Sequence, residues 1–138
     1  MTVRDRNEQT VFESKALNST NGIQSNDNDN DASRFEPHYA EITCPDQVQI
    51  YETIMVDAER ALTTGLLRGL RYVKDNRLLP HGFDKRTADA QVAVHGAAEG
   101  DTDFIGGGDE VRYAVDVGDA PGPFRVKTEL WYQPIDYR

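Results

Sequence analysis

One cysteine, one tryptophan and three histidines in 138 residues leave this chain short of the side chains on which much protein chemistry is built. With Cys44 alone, one chain can make neither an internal disulfide nor a multi-thiolate metal site. His38, His81 and His95 are dispersed and form no His-Glu-x-x-His or other ligand pair at helical spacing. Basic charge is also scarce: 15 Lys and Arg against 24 Asp and Glu give a net charge of -9. Such a field repels phosphates and anionic lipid, and no Lys/Arg cluster offsets it, so nucleic acid is not an expected partner. Long apolar runs are missing as well. No stretch approaches the roughly 20 residues of a membrane span, and Met1 to Thr10 carries Arg and Glu where a signal peptide needs an apolar centre.

What is present suits one domain that buries a core without disulfides or metal. Residues 1–34 read as an N-terminal strand around Val11 and Phe12 followed by a polar Asn/Asp-rich loop, and residues 35–138 as the β-domain. The loop contains Asn26-Asp27-Asn28-Asp29-Asn30-Asp31, side chains that bond their own backbone and resist regular structure. Beyond it, Val48, Ile50, Ile54 and Val56 share one parity in Gln47 to Val56, the pattern of a half-buried strand. Leu62, Leu66, Leu70 and Val73 fit a helical stripe, but Gly65 and Gly69 fall inside it. The expectation is therefore a turn over 58–64 and a strand over 66–73.

Lys74-Asp75-Asn76 reads as a turn, and Arg77 to Phe83, with Pro80 and Gly82, as an irregular surface connection whose mixed charges form salt bridges. Gln91 to Gly96 returns to alternation, and Gly106-Gly107-Gly108-Asp109 supplies a flexible turn. In Glu110 to Val117, the residues Val111, Tyr113, Val115 and Val117 occupy one parity. Phe124, Val126, Leu130 and Tyr132 do the same in Phe124 to Tyr132. These last two strands are expected to pair antiparallel. Short alternating segments without a convincing long helix predict an all-β fold, an antiparallel β-sandwich of about seven strands, immunoglobulin-like or jelly-roll-like; a partly open barrel is the alternative.

Four constellations are candidates for chemistry or binding. Asp27, Asp29 and Asp31 recur at every second residue like the opening of a calcium loop, but Ala32 and His38 stand where an EF-hand has Gly and Glu. Asp101, Asp103 and Asp109 surround Phe104 and the glycines, a second set of hard oxygen ligands for calcium, against which stands an acidic turn with Phe104 inward. Cys44 with His38 upstream is a formal nucleophile pair for a hydrolase. Trp131, outward on the last strand beside Tyr137, is a candidate ligand-stacking platform. No catalytic signature is present, so no enzyme and no cofactor are expected beyond calcium. The triglycine lacks a phosphate-binding pattern and precedes strand rather than helix.

The runs Val11-Phe12-Glu13-Ser14, Ala16-Leu17-Asn18, Glu36-Pro37-His38-Tyr39, Val48-Gln49-Ile50-Tyr51-Glu52, Thr63-Thr64-Gly65-Leu66-Leu67, Tyr72-Val73-Lys74-Asp75-Asn76-Arg77-Leu78-Leu79-Pro80, Gly82-Phe83-Asp84-Lys85 and Glu129-Leu130-Trp131-Tyr132-Gln133-Pro134 carry a resemblance in their number and order. Together with Asn26-Asp27-Asn28-Asp29, they resemble the C-terminal, non-haem module of exported bacterial multihaem cytochrome c-like proteins. The resemblance implies a periplasmic or extracellular setting and haem-bearing domains, or another protein, as partner. The chain departs from that family in having no Cys-x-x-Cys-His, hence no covalent haem of its own. It also shows no export signal, which leaves a cytoplasmic setting open. Such modules continue past Tyr132-Gln133-Pro134-Ile135, so the chain is expected to be truncated, with an uncovered sheet edge and self-association through it.

Overall fold

The computed structural model describes residues 1–14, 31, 33–63, 65 and 67–132. Among them are eight short strands and one 3-10 turn, with no α-helix: β1 (Thr2–Arg4), β2 (Thr10–Glu13), β3 (Glu41–Ile42), β4 (Thr53–Val56), β5 (Leu62–Thr63), β6 (Arg71–Asp75), the turn at Gly96–Glu99, β7 (Arg112–Tyr113) and β8 (Arg125–Lys127). The all-β expectation holds. The strands lie in three small sheets, ordered β2-β1-β8, β3-β7 and β5-β4-β6.

The first sheet joins both ends of the described chain. Val3 pairs with Phe12 on one side and Val126 on the other. Val3, Phe12 and Ile42 form one core cluster, with Met1, Val11, Tyr39, Val111, Tyr113 and Val115 packed around it. Phe12 and Tyr113 meet edge to face at 6.5 Å. A side chain of this size buried in such a cluster contributes about 1.5–3 kcal/mol. A second cluster, Val94, Ala98 and Phe104 with Tyr51 and Leu79, lies under the 3-10 turn and the glycine-rich loop. In β4, Ile54, Met55 and Val56 are all buried, so this central strand is covered on both faces.

Several boundaries differ from the alternation pattern. The expected strand over 47–56 narrows to β4, because Gln47 and Gln49 turn their side chains onto neighbouring backbone N–H groups. The strand expected over 66–73 is β6, shifted towards the C-terminus; Leu66 lies outside the described residues. Where a turn was expected at Lys74-Asp75-Asn76, Lys74 and Asp75 end that strand and Asn76 follows it, with all three residues under 10% exposed. Lys74 reaches Glu52 at 2.8 Å, and the Asp75 carboxylate takes Arg77 through two bonds.

The expected hairpin between the last two strands does not form. β7 runs parallel to β3, and β8 runs antiparallel to β1. Pro121 and Pro123 remove two N–H donors from the connection, and the Pro121 carbonyl instead accepts the Arg6 N–H at 3.0 Å, drawing the chain across to β1. The segment Gln91 to Gly96 contributes no strand; His95 alone bridges to Asp75 before the 3-10 turn.

Candidate functional site

Among the described residues, a cluster of titratable side chains with metal-ligand spacing is centred on His38. This residue precedes β3 in an extended segment, and its side chain is 1% exposed. Asp101 and Asp109 bracket the glycine-rich loop, and both carboxylates reach the imidazole. Asp101 Oδ2 lies 3.1 Å from His38 Nε2, and Asp109 Oδ1 lies 3.9 Å from the same nitrogen. Phe104 packs on the ring with centroids 4.9 Å apart.

The other ring nitrogen decides the chemistry. Gln49 Nε2 lies 2.8 Å from His38 Nδ1, and Asn76 Nδ2 lies 3.1 Å from it. Both amides are oriented by backbone groups: Gln49 Oε1 accepts the Tyr39 N–H at 2.8 Å, and Asn76 Oδ1 accepts the Glu52 N–H at 2.9 Å while Asn76 Nδ2 donates to the Ile50 carbonyl at 2.9 Å. Flipping either amide would set donor against donor. Two N–H donors therefore converge on Nδ1, which must accept, and the ring proton sits on Nε2, facing Asp101.

Asp101 Oδ1 takes the Asp103 backbone N–H at 3.1 Å, and Asp109 Oδ2 takes the Tyr51 hydroxyl at 2.5 Å. Among the described residues Asp109 Oδ1 is buried without a hydrogen-bond partner, as is Glu36 Oε1, whose sister oxygen accepts Tyr39 OH at 2.7 Å. Burial and then the Asp109 bond push the Tyr51 phenol up; burial and then Glu36 do the same for Tyr39. Burial pulls the Asp101 carboxyl up, but the Asp103 N–H and the His38 ring outweigh it and hold Asp101 below its ordinary value. Asp103, on the exposed side, is raised by desolvation and by the Asp101 charge.

His38, Asp101 and Asp109 offer three ligand atoms within 4.8 Å of one another, the spacing of a metal site. The surroundings do not suit one. A metal on Nε2 needs that lone pair, and a metal-bound histidine gives its second N–H to an acceptor; here the second nitrogen meets two donors. Calcium takes about six to eight oxygens, whereas the two loop carboxylates leave only Asp101 Oδ2 and Asp109 Oδ1, with an N–H aimed between them. Millimolar calcium or zinc is accordingly expected to leave the melting temperature unchanged, where a ligand at a hundred times its Kd would add about 2.7 kcal/mol. A rise of several degrees with either ion that is lost in Asp109→Asn, read by scanning calorimetry, would overturn the tautomer assignment.

A second test uses acid. Because the folded Asp101 carboxyl titrates below its ordinary value of 3.8, its contribution is present above that value and disappears as pH falls through the folded one. Asp101→Asn is expected to flatten the loss of stability below about pH 4, measured by urea unfolding at stepped pH; an unchanged slope would show that the carboxylate is not the sensitive group.

Of the second acidic set, Asp101 and Asp109 converge and Asp103 stays at the surface. Asp31 is exposed and holds Ser33 through its N–H and hydroxyl at 2.9 and 2.6 Å; Asp27 and Asp29 lie outside the described residues. Cys44 is exposed, whereas both His38 nitrogens face Asp101, Gln49 and Asn76, so the nucleophile pair is not assembled. Trp131 is 69% exposed, and Tyr137 lies outside the described residues. Sequence reasoning missed Gln49 and Asn76, whose only signal was polar residues interrupting apolar runs. No described helix is long and apolar enough to cross a membrane.

Unlike the buried His38 cluster, the β8 edge is exposed. Along the row Phe12, Val3 and Val126, exposure runs 5%, 4% and 59%, so the core face of the sheet continues onto β8 and is uncovered there. Phe124, Leu130 and Tyr132, of the same parity as Val126, are exposed as well, as is Trp131 on the other parity. Comparison with protein-family models, with curated proteins and with solved structures finds no match for this chain.

Proposed function

We propose that this chain is a non-catalytic accessory module of β-sandwich type that binds a protein partner through the β8 edge. The observation that carries the reading is the uncovered row ending at Val126: an apolar face beside a strand edge with unpaired backbone groups is a docking surface for a further strand. The His38 network supports a structural rather than catalytic interior. The side chains of His38, Asp101 and Asp109 are 6% exposed or less, and the imidazole is engaged on both nitrogens, which leaves substrate little access to them. The resemblance to the non-haem module of multihaem cytochrome c-like proteins supports a haem-bearing electron-transfer domain as one partner.

The test is a titration of isotope-labelled chain with a synthetic strand peptide alternating Val and Glu, and separately with a purified multihaem c-type domain, followed by amide NMR. Shifts confined to β1 and to residues 124–132, and lost in Val126→Lys, are expected. Binding centred elsewhere, or none to either probe together with no self-association, would remove the reading.

A further inference from the structure

Residues 124–132 read Phe-Arg-Val-Lys-Thr-Glu-Leu-Trp-Tyr, and every one of them is exposed. When the run is folded about its central residue, Thr128, the two halves complement each other. Lys127 meets Glu129, Val126 meets Leu130, Arg125 meets Trp131, and Phe124 meets Tyr132. These are an opposite-charge pair, an aliphatic pair, a cation–aromatic pair and an aromatic pair.

An antiparallel strand paired with a copy of itself makes these matches, because residues on the two strands face each other when their numbers sum to a constant. Resting on the reading of β8 as a docking edge, we propose that its partner is a second copy of this chain. Two β8 edges pair antiparallel about a two-fold axis at Thr128, joining the two three-stranded sheets into one.

The register follows from charge and from the face. A two-fold axis perpendicular to the sheet keeps Val126 of both copies on the core side, which allows only pairings between residues of equal parity. Centring on Val126 would set Arg125 against Lys127, and centring on Lys127 would set that residue against itself. Centring on Thr128 opposes no like charges. In the single chain, Lys127 Nζ and Glu129 Oε1 already lie 2.9 Å apart on the exposed strand end, so the pair passes from within a chain to between chains without stranding a charge. Thr128 to Tyr132 forms no ladder in the described structure, and pairing would extend β8 through it. The apolar row from Phe12 through Val3 to Val126 would then continue into the second copy's Leu130.

The experiment is sedimentation equilibrium of the whole chain with a charge-reversal cycle, all variants being at exposed positions. The native chain is expected to show a concentration-dependent dimer. Lys127→Glu and Glu129→Lys should each weaken it by at least about tenfold, since each creates two like-charge contacts per dimer, and the double exchange should restore it. In a Cys44→Ser background, Thr128→Cys should form a disulfide-linked dimer on mild oxidation, whereas Val126→Cys alone should not, because opposed side chains lie about 5 Å apart only at the axis. A chain monomeric at millimolar concentration, or a double exchange no better than the singles, overturns the self-pairing. If the Val/Glu strand peptide or the multihaem c-type domain still binds β8, the docking reading survives that failure; if neither does, both fall.

Discussion

Asn76→Ala is expected to cost about 3–4 kcal/mol, because it leaves several buried polar groups without partners at once. Asn76 is 0% exposed, and its amide satisfies the Glu52 N–H, the Ile50 carbonyl and His38 Nδ1. Orphaning a buried donor or acceptor costs about 1–3 kcal/mol, although neighbouring losses do not add fully. Against a total stability of about 5–15 kcal/mol for a domain, the variant should unfold at much lower urea.

Asn76→Asp sharpens the test. It keeps an oxygen for Glu52 but turns a second oxygen towards Ile50 and His38 Nδ1, where only a donor fits. With Gln49 Nε2 still donating to Nδ1 at 2.8 Å, the ring proton should stay on Nε2 while the new carboxylate is left facing two acceptors, and imidazole nitrogen NMR reports the tautomer directly. A loss below about 1 kcal/mol for Asn76→Ala, or an Nδ1–H tautomer in the native chain, would show that the network is assembled differently.

The second large effect concerns three adjacent glycines that look alike in sequence. A Cβ on Gly106 would lie 2.5 Å from the Phe83 carbonyl oxygen, 2.7 Å from its nitrogen and 3.0 Å from the Pro80 carbonyl oxygen. All three are backbone atoms that cannot swing away. Gly107 has φ of +100° and donates its N–H to the Leu79 carbonyl at 2.9 Å, whereas a Cβ on Gly108 meets nothing within 4 Å. Gly106→Ala should cost about 3 kcal/mol or more by forcing the loop off the 79–83 segment. Gly107→Ala should cost about 1–2 kcal/mol through its left-handed backbone. Gly108→Ala should be neutral or stabilise by up to about 1 kcal/mol through a stiffer unfolded chain. Thermal unfolding of the three single variants checks the order, and equal effects would mean that the loop does not seat as described. Because Asp101 and Asp109 flank this loop, Gly106→Ala should also loosen both carboxylates from His38.

The same residues show where sequence reading stops. The acidic loop residues Asp101 and Asp109 stand out in the sequence because carboxylates around glycines are locally conspicuous. Their partner His38 lies 63 positions before Asp101, and nothing in its neighbourhood marks it. Gln49 and Asn76 were invisible for a deeper reason. An amide side chain has both a donor and an acceptor end, and only the backbone groups around it decide which one faces the histidine. Thus a cluster with the spacing of a metal site becomes a proton-ordered network once Tyr39, Glu52 and Ile50 orient the two amides.

Alternation along 110–117 predicts from sequence alone which side chains share a face, and burial does alternate over 111–117, since the strand period of two is a local property; of the expected strand over 124–132 only Arg125–Lys127 forms, and every residue of the run is exposed. The self-complementary run about Thr128 is equally a property of the sequence. Which strands become neighbours is not local. β7 takes β3, and β8 takes β1, because the prolines at 121 and 123 remove hairpin donors and the core cluster of Val3, Phe12 and Ile42 draws the two ends of the chain together. The tertiary structure likewise decided that Lys74, Asp75 and Asn76 are interior. A polar triplet reads as a turn until the groups that satisfy it, brought in from Glu52, His95 and His38, close around it. That closure makes the triplet a structural hub rather than a turn.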